Sequence, residues 1–368
     1  TCIPAMLLCY WCFGYGAWLC LALMLAAGII AHHQKLSALL AAGILLLPAT
    51  QYPATTWWSK PDLDREYVLS LDVEHYFGNI QKMRKHLETD RQILWVTYYR
   101  NLYNATHPSE INSPVSLSRN LLAWNQPGTN GLILPVNPSA SFLSILFANE
   151  LWFTLGDMTM AEHCAMLSMI FSPRNSGSRM IKRLAEINLV NGDDEAALKY
   201  LRILDKTLLH KSWAEKRIPG QQTPRVKEWL EKKRRDIPTQ DHLRSGNDAV
   251  TSLRNLVASN AGNLRAYEYL LCYHLLSKDL RSFVEDYVPG KVSSSIFAEA
   301  LLIHLARQGN IRAEELIKYQ IPVKIAKEFA DYTRLYEAKD TSLKEKYGKT
   351  YWFYYHFATT EPGKESKP

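Results

Sequence analysis

The chain has 368 residues, of which 47% are hydrophobic and 21% are charged, and its formal net charge is +7. This length exceeds that of most single hydrophobic cores, so we expect two or more structural units. A net charge of +7, without a basic recognition motif or a glycine-rich phosphate loop, does not indicate nucleic-acid binding. The charge is distributed unevenly, because the first 50 residues carry almost none.

The charge-poor N-terminal region predicts a transmembrane helical hairpin over residues 1–58. Segment 10–30 contains 21 residues without a formal charge, which at ~1.5 Å per residue would span roughly 31 Å as a helix. The alternative, a signal peptide, would need a basic start and a clean cleavage site, and both are missing. A second apolar run, 36–47, is long enough to cross a bilayer only if it continues to Trp57-Trp58. The alternative for this run is a short re-entrant or interfacial helix.

The orientation of this hairpin is indicated by Lys35, which lies in the short polar turn between the two predicted spans. Positive residues in short loops tend to stay in the cytoplasm. We therefore expect residues 10–58 to contact the lipid bilayer and the large domain to face away from the cytoplasm. The chain begins with Thr1 rather than methionine, which we interpret as a processed form or the C-terminal part of a longer protein.

Residues 59–141 are predicted to form degenerate helical repeats and a loop. The predicted elements are a helical hairpin over 64–90, a helix over 92–103 and a helix over 117–124. The hairpin is broken at Gly78-Asn79, where a turn is favoured. Residues 125–141 contain three prolines and two glycines. This long loop either lines a functional surface or only joins two hairpins.

Two consecutive helical hairpins over residues 142–210 carry the clearest internal repeat. The dipeptide Gly156-Asp157 recurs 36 residues later as Gly192-Asp193. In each pair the glycine can adopt the positive φ that ends one helix, and the aspartate can cap the next helix. At the same offset one helix face recurs, with Ala161, Ala165 and Ser168 corresponding to Ala197, Leu201 and Leu204.

These features resemble the tetratricopeptide repeat, a helix-turn-helix unit of about 34 residues. In the pattern of that family, Gly156, Ala161 and Pro173 stand at the turn glycine, the closely packed alanine and the terminal proline. Gly192 and Ala197 repeat the first two positions. The resemblance implies an α-solenoid, and since about three repeats are needed for stability, it implies further units on either side.

Residues 211–245 are predicted to be a polar, basic linker between the core repeats and the C-terminal repeats. This segment contains three prolines and the basic run Lys-Lys-Arg-Arg at 232–235. Such a run could contact anionic lipid headgroups if it lay near a membrane surface. The favoured interpretation is a solvated helix end, where cations interact favourably with the C-terminal dipole.

Residues 246–358 are predicted to form C-terminal helical repeats that end in an aromatic cap. One hairpin in this region has Lys278-Asp279 at the position of the glycine-aspartate turn. The aromatic run 351–357 is expected to pack on the last repeat, although it could instead form a platform for a sugar or for the edge of a bilayer. The polar tail, 359–368, is predicted to be disordered.

The order of these segments resembles an uncharacterised family of bacterial multi-pass membrane proteins with a C-terminal tetratricopeptide-like region. The resemblance rests on the N-terminal hairpin, the stretches AYEYLLCYHLLSKDLRSFVEDY and AEALLIHL, and the closing YGKTYWFYYHF. It implies additional membrane helices upstream, a location in the bacterial inner membrane and a repeat domain in the periplasm. It implies no activity, so no functional residue is transferred from the family.

The chain contains no recognisable catalytic, cofactor-binding or metal-binding motif. Cys9-x-x-Cys12 has redox or metal spacing, but it lacks a second pair and the strand-to-helix context of a thioredoxin site. Cys164 and Cys272 are expected to be buried on helices. The Glu-His-Cys sequence at 162–164 cannot supply three convergent ligands, because adjacent helical positions point in different directions. We therefore predict no catalytic residue, no cofactor and no metal site.

The sequence is compatible with two functional hypotheses from different classes of protein. The favoured function is a membrane-anchored helical-repeat scaffold that mediates protein–protein interaction at the bacterial cell envelope, with no catalysis in this chain. The alternative is an accessory domain of a multi-pass membrane enzyme or transporter, for example in envelope glycan synthesis, with its active site in upstream helices. We expect a protein partner in the envelope and no nucleic-acid partner, and the sequence leaves the binding residues and any small-molecule ligand open.

Overall fold

The computed structural model describes residues 63–88, 91, 93–107, 117–125, 127–136, 141–171, 177–240 and 248–358. The chain divides into two compact units, Thr1–Tyr67 and Val68–Pro368. Of the first unit, only residues 63–67 are described, at the start of a helix. The remaining described residues all belong to the second unit.

Every regular secondary structure element in the described ranges is a helix, so the all-α prediction is confirmed. The helices are α1 (Leu63–Tyr76), α2 (Ile80–Leu87), α3 (Leu94–Thr106), α4 (Leu117–Trp124), α5 (Phe142–Leu155), α6 (Met158–Ile170), α7 (Ser178–Asn191), α8 (Asp194–Asp205), α9 (Lys211–Glu215), α10 (Pro224–Arg234), α11 (Ala249–Ser259), α12 (Leu264–Leu276), α13 (Leu280–Asp286), α14 (Ser295–Arg307), α15 (Ala313–Lys318), α16 (Val323–Glu337), α17 (Leu343–Tyr347) and α18 (Tyr351–Phe357). The helices predicted before and within the core hairpins lie where the sequence placed them.

Among these described helices, none combines the length and the apolar character needed to cross a lipid bilayer. The predicted membrane spans within residues 10–58 lie outside the described residues, as do Pro173 and the tail 359–368. The membrane hairpin, the terminal proline of the first repeat and the disordered tail therefore stay predictions.

One type of helix-to-helix turn recurs along the described chain. At Gly156, Gly192 and Lys278 the residue that ends the first helix has a positive φ, of 91°, 82° and 58° respectively. In each turn the backbone N–H of the following aspartate donates to the carbonyl five residues earlier, at 2.9 Å. The aspartate carboxylate then accepts the N–H three residues further on. These bonds form a Schellman motif followed by an N-cap, so the predicted turn is confirmed at all three positions.

The core hairpins pack on one another in chain order. Helix α5 packs on α6, α6 on α7, α7 on α8, and α8 on α9. Ala161 and Ala197, which the repeat pattern placed at close helix contacts, are fully buried. Ala165 packs with Leu184 between α6 and α7. Small residues at these positions allow adjacent helices to approach closely, which accounts for the observed pairing.

The segment predicted as a linker contains α9 and α10 in its described part, and α10 packs on α7. Arg234 donates to the carbonyl oxygens of Leu189 and Val190, at 2.7 and 3.0 Å. These bonds satisfy carbonyl groups at the C-terminal end of α7, which have no partner within their own helix. Farther along, the Asn263 amide donates to the Asp236 carbonyl at 2.8 Å, which fixes the segment to α12.

The C-terminal helices pack in a second series, in which α12 contacts α13, α13 contacts α14, and α14 contacts α16 and α18. Helix α4 contacts α3, α12 and α14, and α3 contacts α5, so α3 and α4 together link the two series. The aromatic run 351–357 forms α18, where Tyr351 and Trp352 are buried. The Trp352 indole donates to the Glu299 carbonyl at 3.0 Å. This run therefore packs as a cap on the preceding helices, as predicted.

Candidate functional site

A cavity of about 610 Å³ lies beside α1, α5, α7, α9 and α10, and we call it the basic cavity. Its volume falls within the ~300–1,000 Å³ that is usual for ligand sites. Its charged lining residues are the cations Arg179, Lys182, Arg183, Arg217, Arg225 and Lys233 and the carboxylates Glu150 and Glu186. Its aromatic lining residues are Tyr76, Phe77, Phe153, Trp213 and Trp229. Cations therefore outnumber carboxylates in the basic cavity, which is also rich in aromatic rings.

Arg179 and Arg183, one helical turn apart on α7, are the arginine pair at the base of this cavity. Arg179 binds both oxygens of Asp72, at 2.5 and 2.8 Å, and one oxygen of Glu150, at 2.9 Å. Arg183 binds the second oxygen of Glu150 at 2.6 Å and Glu186 at 2.9 Å. Since only 4% of Glu150 is exposed, this network is largely removed from water. It fixes α7 to α5 and leaves the arginine pair with compensated charges.

The electrostatics of this network favour the charged forms of Glu150 and Arg179. Burial raises the pKa of Glu150, but Arg183, His75 and Arg179 outweigh that effect and hold the pKa well below its usual value. Burial likewise opposes the charge of Arg179, but the carboxylates of Glu150 and Asp72 raise its pKa. Glu150 and Arg179 therefore stabilise each other in their charged forms.

The other four cations of the cavity form no ion pair with a carboxylate among the described residues, and we call them the uncompensated cations. They are Lys182, Arg217, Arg225 and Lys233. Lys182 donates to the Tyr76 hydroxyl at 2.6 Å. The Nε atom of Arg217 is buried and has no hydrogen-bond partner in the described part of the chain. A buried donor without an acceptor costs free energy, so this guanidinium is incompletely satisfied in the described part of the chain.

Aromatic rings position three of the uncompensated cations. The Lys182 ammonium lies 4.8 Å from the ring centroids of both Tyr76 and Trp213. The guanidinium carbon of Arg217 lies 4.0 Å from the centroid of Trp213, and the Lys233 ammonium lies 4.6 Å from that of Phe153. Such contacts stabilise a cation by ~0.5–2 kcal/mol but do not neutralise its charge.

The pKa of Lys233 shows the same lack of compensation. Burial and the neighbouring charges of Arg183 and Arg265 lower the pKa of Lys233 to about 8, and Asp236 and Glu186 only partly oppose them. Burial also lowers the pKa of Arg217. A lowered pKa means that the protein environment disfavours the charged form of the cation, and an anion placed beside the cation would stabilise that form. The cavity is therefore suited to an anionic ligand.

The sequence analysis named no binding residue, and it missed this cavity. One spacing contained a signal, since Trp229 and Lys233 are four residues apart on α10 and so share a helix face. Trp213 and Arg217 have the same spacing, although Arg217 lies in the turn after α9. The predictions for the cysteines are confirmed where they can be assessed, because Cys164 and Cys272 are buried and unpaired. The predicted Cys9-x-x-Cys12 pair lies outside the described residues.

The described part of the chain is thus all-helical and contains a basic, aromatic-lined cavity. Residues 36–358 match a family of unknown function, DUF6057, and the chain belongs to this family. This agrees with the resemblance to an uncharacterised family. No curated protein and no solved structure matches the chain.

Proposed function

We propose that this protein is a membrane-anchored helical-repeat scaffold that mediates protein–protein interaction at the bacterial cell envelope. In this proposal residues 10–58 hold the chain in the inner membrane, the hairpins form a tetratricopeptide-like α-solenoid in the periplasm, and a partner protein occupies the basic cavity. The observation that carries the proposal is the set of four uncompensated cations lining one preformed cavity.

The packing of the core hairpins supports the repeat part of this proposal. Each helix from α5 to α9 packs on the next one in the chain, and the same turn geometry recurs at Gly156 and Gly192. Repeats that contact their neighbours in sequence expose an extended surface to which several elements contribute. The basic cavity has this composition, since its charged lining residues come from α5, α7, α10 and the segment after α9.

The charges at the cavity support binding rather than acid–base chemistry. The carboxylate of Glu150 accepts hydrogen bonds from both members of the arginine pair, and its pKa lies well below the usual value. Such a group carries no proton to donate near neutral pH and is a weak base. Recognition of an anionic partner uses the cations directly and requires no proton transfer.

Photocrosslinking in intact cells tests this function with the full-length protein. A photoreactive residue would replace Arg225, which is exposed at the cavity, or Lys324, an exposed control on α16. We expect a discrete protein adduct from position 225 only, and we expect the double substitution Lys182→Gln and Lys233→Gln to reduce it. Identical adducts at both positions would contradict the proposal. Adducts with lipid or glycan alone would favour an accessory domain of an envelope enzyme instead.

A further inference from the structure

We propose that the basic cavity binds an extended acidic peptide segment, in which two carboxylates about three or four residues apart contact the uncompensated cations. The arginine pair builds the cavity and does not contact the segment. This inference rests on the proposed function, because it names the chemistry of the partner that the scaffold would bind.

The carboxylate specificity follows from the chemistry that the cavity already contains. Glu150 places one oxygen on each member of the arginine pair, at 2.9 and 2.6 Å. Guanidinium groups match the planar, two-oxygen geometry of a carboxylate, and such charge-assisted hydrogen bonds are among the strongest in proteins. Arg217 has the same group with an unsatisfied buried Nε atom. A carboxylate from a partner would give Arg217 the compensation that Glu150 gives the arginine pair.

The positions of Arg225 and Lys233 along α10 favour a ligand with separated charges. Arg225 and Lys233 lie near opposite ends of α10, eight residues apart. At ~1.5 Å per residue, their backbone positions are about 12 Å apart along the helix axis. An extended peptide advances ~3.3–3.6 Å per residue, so carboxylates three or four positions apart match this distance.

Three of the five aromatic rings of the cavity are used to hold cations rather than to stack on a ligand such as a nucleobase or a sugar. Stacking needs an open ring face. Cations lie over the rings of Tyr76, Trp213 and Phe153, at 3.9–4.9 Å from the centroids. These rings therefore hold cations in place, and the ligand contacts the cations rather than the rings.

Peptide binding to the full chain in detergent tests this inference. The probes are a fluorescently labelled hexaglutamate peptide, a labelled hexaglutamine peptide, and unlabelled succinate and inorganic phosphate as competitors. We expect hexaglutamate to bind and hexaglutamine not to bind. Succinate and phosphate at matched charge should compete at least about tenfold more weakly than unlabelled hexaglutamate, because neither spans the cations. Equal binding of both peptides, or tighter binding of phosphate, would overturn the inference.

Matched variants locate the binding in the chain. Lys182→Gln combined with Lys233→Gln should weaken hexaglutamate binding about tenfold or more. The control combines Lys199→Gln with Lys227→Gln, which removes the same charge from exposed positions and should change the affinity less than about twofold. If the first pair does not fold, as judged by circular dichroism, Lys233→Met removes one cation while keeping an apolar stem. Equal losses in both pairs would contradict a specific site.

Photocrosslinking in cells and peptide binding in solution test two claims separately, namely the scaffold function and the acidic peptide as its ligand. A protein adduct from position 225 in cells, without hexaglutamate binding in solution, would refute the acidic segment and leave the scaffold function standing. Hexaglutamate binding that depends on Lys182 and Lys233, without any protein adduct in cells, would refute the scaffold function and leave an anion site.

Discussion

The C-terminal cap and the basic cavity differ in whether their buried polar groups have hydrogen-bond or ion-pair partners. In the cap, formed by α16 to α18, the Tyr332 hydroxyl donates to the Trp352 carbonyl and the Tyr351 hydroxyl to the Leu275 carbonyl, at 3.1 and 2.9 Å. Among the described residues from 248 to 358, no buried side-chain polar atom lacks a hydrogen-bond partner. In the basic cavity, by contrast, the Arg217 Nε atom has none and four cations lack a carboxylate.

This difference distinguishes a surface that completes the fold from the cavity that we propose binds a ligand. Buried polar groups in folded proteins are almost always satisfied, and exceptions often mark functional sites. Substitutions in the cap should therefore reduce stability without changing ligand binding. Substitutions at the uncompensated cations should reduce binding and leave stability nearly unchanged.

The largest expected effect is that of Trp352→Ala in the cap. The Trp352 side chain is 1% exposed and contacts the rings of Phe329, Tyr332 and Tyr347. Its removal should lower the free energy of unfolding by about 3–5 kcal/mol, as measured by denaturant unfolding followed by circular dichroism. The affinity of the folded fraction for hexaglutamate should not change. A loss below about 1 kcal/mol would show that the cap does not close the fold.

Glu150→Gln should have the next largest effect, because it leaves the arginine pair without its shared carboxylate. Removing one member of a buried ion network costs about 3 kcal/mol or more, measured in the same unfolding experiment. Glu186→Gln is the control, since Glu186 binds only Arg183 and is more exposed, with 18% of its side chain accessible. Its expected cost is below about 1 kcal/mol. Equal costs for the two substitutions would contradict the shared role of Glu150.

The pH dependence of stability sharpens the same prediction. The pKa of Glu150 is lower in the folded chain than in the unfolded chain, so its carboxylate contributes stability above the unfolded value of about 4.5. That contribution is lost as the pH falls below about 4.5 and through the folded pKa. The wild-type protein should therefore lose more stability than Glu150→Gln during acidification. Parallel stability curves for the two proteins would contradict this account.

A matched pair of glycine substitutions compares the two core hairpins. Gly192→Ala should cost about 1–2 kcal/mol, since φ is +82° but no atom lies within 4 Å of the added Cβ. Gly156→Ala should cost more, because its Cβ would lie 2.2 Å from the Asp236 carbonyl oxygen. Thermal unfolding of both variants measures the difference. Equal costs would show that the segment after α10 does not dock on the first hairpin.

The smallest expected effect concerns Lys233, whose pKa is lowered to about 8. In the unfolded chain its value is about 10.5, so between these two pH values the unfolded chain binds more protons. Stability therefore rises with pH across that window. The unfolding free energy of the wild type relative to Lys233→Met should increase from pH 8 to 10.5. A constant difference across this range would show that Lys233 is solvated and compensated.

The local features of the fold could be predicted from the sequence, whereas the cavity could not. The turns at Gly156, Gly192 and Lys278 depend on residues close together in the chain, so their pattern was readable. Within 211–240 the sequence indicated only a linker with a helix end at 232–235, because α10 has a polar composition and buries only Val226 and Leu230. The cavity joins residues that are far apart in sequence, such as Asp72 and Arg179, which are separated by 107 residues. No local pattern encodes such a contact.

Chemical labelling of lysines in the full chain, with and without hexaglutamate, tests most directly whether the basic cavity is the binding site. An amine-reactive reagent at pH 8, followed by mass spectrometry, reports the accessibility and basicity of each lysine separately. We predict that the peptide protects Lys182 and Lys233 and leaves the exposed control residues Lys199 and Lys227 unchanged. Equal labelling of all four lysines in the presence of bound peptide would contradict the assignment of the cavity as the binding site.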